Sequence, residues 1–165
     1  MSSSLRNCLL CDRAFRGRTF LCRDCSDYYR DREIPLDVRE TFYTRLDLAY
    51  PSRSNTYGSY NEPAALLKAI ERLPRNARII EIGAGGGFLA RDLADMGFSD
   101  LTLTDFTETA VDALLNRVPE ADIVLTDAES LPFKDETFDV AISCDLIEHL
   151  PDPHRHLAEV ARILA

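Results

Sequence analysis

The stretch from residue 79 to residue 97 constrains the fold more than any other part of this 165-residue sequence. It opens with a short apolar run, Ile79-Ile80-Glu81-Ile82, whose length and β-branched content predict a buried strand. Four of the five residues from Gly83 to Gly87 are glycine, which allows a sharp backbone turn. Apolar residues then recur at helical spacing, and Gly97 ends the run. This order of strand, turn and helix predicts one corner of a doubly wound α/β sheet.

Residues 61–165 continue with alternating strand and helix patterns. A helix capped by Asn61 and begun by Pro63 is expected before the first strand. Further strands are predicted at about 101–105, 122–127 and 138–144. Alternation of this kind produces a parallel sheet with right-handed crossovers. We therefore predict an α/β protein with a Rossmann-like, doubly wound parallel sheet over these residues.

Two of the predicted helices carry apolar stripes that assign their buried faces. The helix capped by Thr107 is expected to bury Val111, Leu114, Leu115 and Val118. The helix that begins after Asp152-Pro153 is expected to bury Leu157, Val160, Ala161 and Leu164. His154 and His156, in the first turns of this last helix, are expected on the surface.

Four of the five cysteines form two Cys-x-x-Cys pairs with ten residues between them: Cys8, Cys11, Cys22 and Cys25. This spacing matches a tetrahedral zinc site, in which each pair holds the metal from a tight turn. Disulfides and thiol redox chemistry are the alternatives, but two short pairs in a sequence of intracellular type favour the metal. Four thiolates leave no open coordination position, so the zinc is expected to be structural. Residues 1–30 are therefore predicted to form a zinc-ribbon or knuckle module.

Residues 31–60 are predicted to connect this module to the sheet. One amphipathic helix is expected from Asp37 to Ala49 because Val38, Phe42 and Leu46 recur at helical spacing. The polar, turn-rich residues 51–60 favour an ordinary linker and a lid over the sheet about equally.

The net charge of −9 is unevenly distributed along the sequence. Residues 1–60 carry 10 arginines against 8 acidic residues, whereas residues 61–165 carry 9 basic against 20 acidic residues. The acidic balance of the larger part disfavours general nucleic-acid binding, because contacts to phosphates supply most of that affinity. The sequence shows neither a membrane-spanning run nor a secretion signal, so we expect a soluble, cytoplasmic protein without a membrane partner.

The glycine turn is compatible with more than one cofactor. A phosphate-binding P-loop is excluded because Phe88, rather than lysine, follows Gly87. The segment 85–90 fits a loose dinucleotide fingerprint, and Asp105 lies where a ribose-binding acid belongs, so a nicotinamide dinucleotide stays possible. Glu81 favours a cofactor with a positively charged amino group over a pyrophosphate, which it would repel.

Three segments resemble class I methyltransferases that depend on S-adenosylmethionine (SAM), in particular the type 11 methyltransferase domain. Residues 81–87 resemble the acid-x-Gly-x-Gly-x-Gly signature of that family. Asp127-Ala128 resembles its adenine-contacting pair, and Leu131-Pro132-Phe133 follows as is typical there. Residues 144–150, which end Glu-His-Leu, resemble the segment after the fourth strand. The resemblance covers about residues 62–165 and favours SAM over a nicotinamide cofactor.

The resemblance implies roles for the glycine turn and for the acid before it. Gly83, Gly85 and Gly87 would form the turn beneath the methionine part of SAM. Glu81 would orient that turn or the amino group of the cofactor.

The resemblance also implies cofactor contacts at the ends of the other three strands. Asp105 would accept hydrogen bonds from both ribose hydroxyls, and Phe106 would lie near the adenine. Asp127 would bind the adenine amino group, and Ala128 would donate its backbone N–H to the ring. Cys144-Asp145 would face the methionine end and the incoming nucleophile.

His149 is the candidate general base, because an imidazole titrates near neutral pH. Glu148 is a second candidate. For both residues, a purely structural role, in capping or packing near the loop, is the other interpretation. The acceptor is expected to be a small molecule, given the acidic domain. An RNA base stays possible because a bacterial family of ribosomal-RNA guanine methyltransferases also carries a cysteine-rich zinc module ahead of this fold.

The sequence departs from the family after the helix that follows the fourth strand. A class I sheet normally has seven strands, so the fourth would keep an open edge, which favours aggregation unless it is covered. We expect either a fragment of a longer protein or a second copy or partner that covers this edge. A non-catalytic SAM-fold interaction protein is the main alternative to an enzyme, and an NAD-dependent oxidoreductase is the less favoured one.

Overall fold

A computed structural model describes residues 5–16, 21–30, 32, 34–49 and 64–165. The linker or lid predicted at 51–60 and the helix start predicted at Asn61 and Pro63 lie outside these residues. The chain divides into two compact units, Met1–Ala49 and Tyr50–Ala165. In the described part of the chain, no helix combines the length and the apolar character needed to span a bilayer.

Among its described residues, the first unit contains a hairpin and two helices. Strands β1 (Leu5–Asn7) and β2 (Ala14–Arg16) pair in antiparallel fashion, and α1 (Arg23–Tyr29) and α2 (Leu36–Ala49) follow. Helix α2 confirms the helix predicted from Asp37 to Ala49. The guanidinium of Arg45, on α2, donates to the carbonyls of Leu9 and Leu10 at 3.0 and 3.1 Å. These bonds fasten α2 to the tip of the hairpin.

The second unit is a four-stranded parallel sheet flanked by helices. In its described residues, 64–165, the elements in chain order are α3 (Ala64–Glu71), β3 (Ile79–Ile82), α4 (Phe88–Asp95), β4 (Leu101–Asp105), α5 (Glu108–Arg117), β5 (Asp122–Leu125), β6 (Val140–Ile142), a 3₁₀ helix (Ile147–His149) and α6 (Pro153–Ile163). The strands lie in the order β5-β4-β3-β6, and each pair is parallel. The predicted Rossmann-like α/β fold is therefore confirmed.

Strand β3 lies inside the sheet, between β4 and β6, and all four of its residues are buried. Ile79 packs in a cluster with Leu89 and Leu93 of α4. Ile80 and Ile82 belong to a second cluster, with Ile163 of α6. Successive strand residues point to opposite faces, so α4 and α6 cover opposite sides of the sheet.

The buried faces of α5 and α6 differ from the predicted ones. Leu157 is 52% exposed and Ala161 is exposed, whereas His156 is 1% exposed and Ile163 is fully buried. The prediction for α6 was wrong at Leu157, Ala161 and His156, whereas Val160 is half-buried and packs against the cluster that contains Ile163. It followed apolar residues only, but the buried imidazole of His156 is hydrogen-bonded to the carbonyl of Ala128. On α5, Leu115 is also 52% exposed, although Leu114 and Val118 are buried as predicted.

The segment after α6 pairs with the segment that leads into β6. Leu164 forms a parallel bridge with Phe138, whose carbonyl accepts from the N–H of Ala165 at 2.9 Å. The edge predicted to be open along the fourth strand is therefore paired just before β6 begins.

Candidate functional site

The four parallel strands of the second unit end at one edge of the sheet, where the loops after them meet. Backbone N–H groups of Gly83 and Ala84, after β3, donate to the carbonyl of Thr104, in β4, at 2.9 Å. Likewise Thr126, after β5, donates its N–H to the carbonyl of Asp105 at 2.8 Å. Open α/β sheets bind ligands outside the carboxyl ends of their strands. This edge is therefore the candidate cofactor site.

The glycine turn is shaped by steric limits and leaves open space at its centre. Gly83 and Gly87 have φ angles of +73° and +71°. A methyl group at Gly83 would lie 2.9 Å from the Leu146 side chain, and one at Gly87 would lie 2.7 Å from that of Leu114. Gly85 also has a positive φ, +52°, but no atom lies within 4 Å of the position of its missing Cβ. Neighbouring side chains therefore pack against the turn at Gly83 and at Gly87, whereas the space beside Gly85 is open.

Asp105 ties the end of β4 to the glycine turn. Its Oδ2 accepts from the N–H of Gly85 at 2.9 Å. Its Oδ1 accepts from the N–H groups of Phe106 at 2.8 Å and Thr107 at 3.1 Å, and from the Thr107 hydroxyl at 3.3 Å. Burial raises the pKa of Asp105, although the hydrogen bonds from Gly85, Thr107 and Phe106 oppose that shift. Because a carboxylate oxygen has two lone pairs, Oδ2 keeps capacity for a ligand hydroxyl.

Glu81 places an acidic side chain inside the sheet, just before the glycine turn. It is 5% exposed and lies in β3 between Leu103 of β4 and Ile142 of β6 in the strand register. Charges interact more strongly in such a low-dielectric environment than in water. A carboxylate at this position therefore favours a cationic group over a phosphate.

The loop after β5 is held in a defined shape. Asp127 Oδ1 accepts from the N–H of Glu129 at 2.9 Å, and the carbonyl of Ala128 lies 3.0 Å from His156 Nδ1. Ala128 is buried, and Asp127 is half-buried. The predicted adenine-contacting pair thus lies at the same edge as Asp105.

The segment after β6 brings the remaining predicted residues to this edge. Cys144 is half-buried, and Asp145 has a left-handed backbone with a φ of +49°. Leu146 packs against Gly83. Glu148 and His149 lie in the 3₁₀ helix with exposed side chains. Both candidate bases therefore lie in the segment that follows β6, with their side chains exposed to solvent.

Three residues that shape this edge were not predicted as site residues from the sequence: Leu146, Glu129 and His156. Leu146 lies inside the segment that resembles the family, but its contact with Gly83 could not be read from spacing. Glu129 is buried, and its Oε1 accepts from the N–H of Asp152 at 3.0 Å. A buried acid in a loop that looks polar gives no periodic signal.

The four cysteines of the first unit lie together. Their ligand atoms are all within 4.8 Å of one another, and the sulfurs of Cys11 and Cys22 are 3.7 Å apart. With Zn–S bonds of about 2.3 Å, a tetrahedral site has sulfurs about 3.8 Å apart. Cys8 and Cys11 lie at the tip of the β1–β2 hairpin, whereas Cys22 caps α1 and Cys25 lies in its first turn. The donor set therefore fits a four-thiolate metal site.

The environment of Cys8 favours its thiolate. Burial raises its pKa, but hydrogen bonds from the backbone of Cys11, Cys22 and Leu10 outweigh that effect and lower the pKa to about 6. A metal binds the thiolate rather than the thiol, so this lowered pKa is compatible with a ligand role for Cys8.

Comparison with known proteins identifies the family of the second unit. A family model described as a methyltransferase domain matches residues 80–165. A probable S-adenosylmethionine-dependent methyltransferase of Mycobacterium tuberculosis is 34% identical over 86 residues, which are 52% of this chain and 31% of that protein. The phthiotriol/phenolphthiotriol dimycocerosates methyltransferase of the same species is 37% identical over 82 residues, 50% of this chain and 30% of that protein.

A solved structure shows the same fold. The TehB-like SAM-dependent methyltransferase from Corynebacterium glutamicum superposes with a TM-score of 0.60 at 22% identity and covers 74% of this chain and 66% of that one. The chain spans about a third of the length of the two mycobacterial relatives. Because the family model matches more than half of the sequence, the chain belongs to the methyltransferase domain family and has the class I, SAM-dependent methyltransferase fold.

Proposed function

We propose that this protein binds SAM at the carboxyl edge of the β3–β6 sheet and transfers its methyl group to a small molecule. The observation that carries the proposal is the open space at Gly85, beside a turn whose N–H is held by Asp105. Gly97 also has open space at its Cβ position, but Gly85 lies at the carboxyl ends of the strands, where α/β sheets bind ligands, and the absence of a side chain there lets a ligand approach the backbone closely. Membership of the methyltransferase family favours SAM over the nicotinamide alternative.

Cofactor binding is assigned to nine residues at this edge: Glu81, Gly83, Gly85, Gly87, Asp105, Phe106, Asp127, Ala128 and Cys144. Among them, Glu81 supplies negative charge near the sulfonium and amino groups. Asp105 accepts a ribose hydroxyl through Oδ2, because Oδ1 already has three donors. Contact between Oδ1 and the second hydroxyl would need one of those donors to move.

Bound SAM supplies an activated methyl group that a correctly aligned nucleophile can accept. The chain has to orient the acceptor and, where the nucleophile carries a proton, remove it. We assign that proton transfer to His149, with Glu148 as the alternative, because both have exposed side chains in the segment that follows β6. A His149→Gln variant should lower kcat and leave the dissociation constant for S-adenosylhomocysteine unchanged, while His154→Gln, on the exposed side of α6, should change neither.

A small-molecule acceptor is favoured over RNA for two reasons. Residues 61–165 carry 9 basic and 20 acidic residues, which weakens any contact with phosphates. In addition, the mycobacterial relative with a named acceptor is a methyltransferase for phthiotriol dimycocerosates. Methyl-labelled SAM, incubated with the protein and a cell extract, should label the low-molecular-weight fraction. Label in the RNA fraction, formed at low salt but not when the reaction is run at high salt, would instead favour the nucleic-acid acceptor.

We further propose that Cys8, Cys11, Cys22 and Cys25 hold one structural zinc ion. Metal binding of this kind supplies folding free energy to small domains, and cysteines that are not in disulfides are typical of a reducing compartment such as the cytoplasm. Purified protein should contain one zinc per chain, and Cys22→Ser should lose it. Cys144→Ser is the matched control and should keep the metal.

The test of cofactor identity is thermal unfolding of the zinc-loaded protein with added ligands. At 100 times its dissociation constant, a ligand stabilises the native state by about 2.7 kcal/mol. S-adenosylhomocysteine should raise the Tm and NAD should not. A folded sample that neither ligand protects would contradict the proposal and favour an interaction role, in which a partner or a second copy covers the free edge of β6.

A further inference from the structure

Helix α6 braces the loop between β5 and β6, which contains the proposed adenine-contacting pair. Residues 126–139 form no helix or strand, except for the bridge at Phe138. Their backbone groups therefore need partners from elsewhere. One face of α6 supplies several of them.

The C-terminal half of that face holds the middle of the loop. Glu159 Oε2 accepts from the N–H of Leu131 at 2.8 Å. Arg162 donates to the carbonyl of Leu131 at 3.0 Å and to that of Phe133 at 2.7 Å. Glu159 and Arg162 are also paired with each other at 2.8 Å. The loop is thus bound to α6 through charge-assisted hydrogen bonds, which are stronger than neutral ones.

His156, one turn earlier on the same face, reaches the adenine-contacting pair itself. Its Nδ1 lies 3.0 Å from the carbonyl oxygen of Ala128, and the side chain is 1% exposed. A carbonyl can only accept, so Nδ1 carries the proton. Nε2 lies 3.5 Å from the hydroxyl of Ser143, the first residue after β6. One buried imidazole therefore contacts the loops that follow two different strands of the candidate site.

We infer that His156 is a positioning residue for the adenine end of SAM. By holding the carbonyl of Ala128, it sets the plane of the following peptide and fixes the segment that carries the Ala128 N–H and the Asp127 carboxylate. The inference rests on the proposed function, because it assumes that SAM occupies this edge. It does not require His156 to touch the cofactor.

Two nearly isosteric amides separate the roles of the two ring nitrogens. His156→Asn places an amide N–H near the position of Nδ1, whereas His156→Gln places it near that of Nε2. His156→Leu removes both polar atoms and leaves the Ala128 carbonyl buried without that donor. His154→Leu makes the same chemical change at an exposed position of α6 and is the matched control.

The experiment measures dissociation constants for S-adenosylhomocysteine and for adenosine by calorimetry on zinc-loaded protein, below the Tm of every variant. Loss of one buried hydrogen bond should raise both constants about tenfold in His156→Leu. His156→Asn should restore both to near the wild-type values, His156→Gln should not, and His154→Leu should change neither. If both ligands lose affinity by the same factor, the effect of the substitution lies in the adenosine part that they share.

Each result of this experiment either supports or overturns the positioning role of His156. A His156→Leu protein that is folded, less stable and unchanged in both constants has lost packing alone, and the inference is then wrong. If His156→Leu does not fold, the Asn and Gln variants decide, and equal constants for the two would overturn it. A wild-type protein that binds neither ligand would reject the proposed function, and the inference with it.

Discussion

Alanine substitutions at three glycines should separate the steric, conformational and binding roles of the glycine turn. Gly85, Gly87 and Gly97 all have a positive φ, at +52°, +71° and +92°. They differ in what a methyl group would meet, since Gly85 and Gly97 have open space whereas Gly87 faces Leu114. The same mutation therefore has a different expected cost at each position.

The conformational cost is common to all three positions. A residue with a Cβ in the left-handed region loses about 1 kcal/mol of folding free energy. Gly97→Ala and Gly85→Ala should each be destabilised by about this amount. Gly97 lies at the end of α4, away from the candidate site, so Gly97→Ala should bind S-adenosylhomocysteine as the wild type does.

Gly87→Ala has an additional steric cost. Its Cβ would lie 2.7 Å from Leu114 Cδ2, about 1 Å inside the optimal separation of two carbon atoms. Leu114 is fully buried and cannot move aside into solvent. Overpacking of this kind costs about 1–3 kcal/mol, so the total for Gly87→Ala should be about 2–4 kcal/mol.

The assay combines urea unfolding with calorimetric titration of S-adenosylhomocysteine. Gly85→Ala should match Gly97→Ala in stability but bind the ligand at least tenfold more weakly, because its methyl group fills the open space. The reasoning is refuted if Gly87→Ala is no less stable than Gly97→Ala. It is equally refuted if Gly85→Ala binds S-adenosylhomocysteine as tightly as the wild type.

Three further predictions concern the metal, the ribose-binding acid and the dependence of stability on pH. Removal of zinc by a chelator should unfold residues 1–49 and leave the far-UV signal of the sheet unit intact; a chelator-resistant first unit would contradict the metal assignment. Asp105→Asn should lower stability by about 1–3 kcal/mol and weaken S-adenosylhomocysteine binding, because an amide nitrogen cannot accept from Gly85 or Thr107; urea unfolding and calorimetry measure both. The Arg78 guanidinium, bonded to Asp139, lowers the pKa of that carboxyl from 3.8 to about 2, so its contribution is complete above pH 4 and is lost as the pH falls toward 2. Unfolding of Asp139→Asn should therefore depend less on pH in that window, and a pH profile identical to that of the wild type would contradict the pairing.

Much of the fold could be predicted because the sheet is built from strong local patterns. Ile79-Ile80 and Leu101-Thr102-Leu103 are short buried runs between turn residues, and they form β3 and β4 with nearly the predicted bounds. Thr107 was predicted as a helix cap, and its hydroxyl accepts from the N–H of Ala110. These features depend on residues that are close together in the sequence, so a single sequence is enough to predict them.

The features that could not be predicted depend on neighbours in space. Apolar spacing assigned Leu157 to the core and His156 to the surface, whereas the structure has the reverse. The hydrogen bond to the carbonyl of Ala128, 28 residues away, offsets the cost of burying the imidazole of His156. In the same way, Arg162 has polar partners in the loop before β6, and no helical periodicity indicates them.

The central claim is that SAM binds at the carboxyl edge of the β3–β6 sheet, and amide NMR tests it most directly. In a titration of the isotope-labelled, zinc-loaded protein with S-adenosylhomocysteine, we predict saturable shifts of the Gly85, Phe106 and Ala128 amides. The amide signals of residues 5–16, in the hairpin of the first unit, should keep their chemical shifts. Absence of shifts at saturating ligand, or shifts confined to residues away from these three amides, would contradict the account.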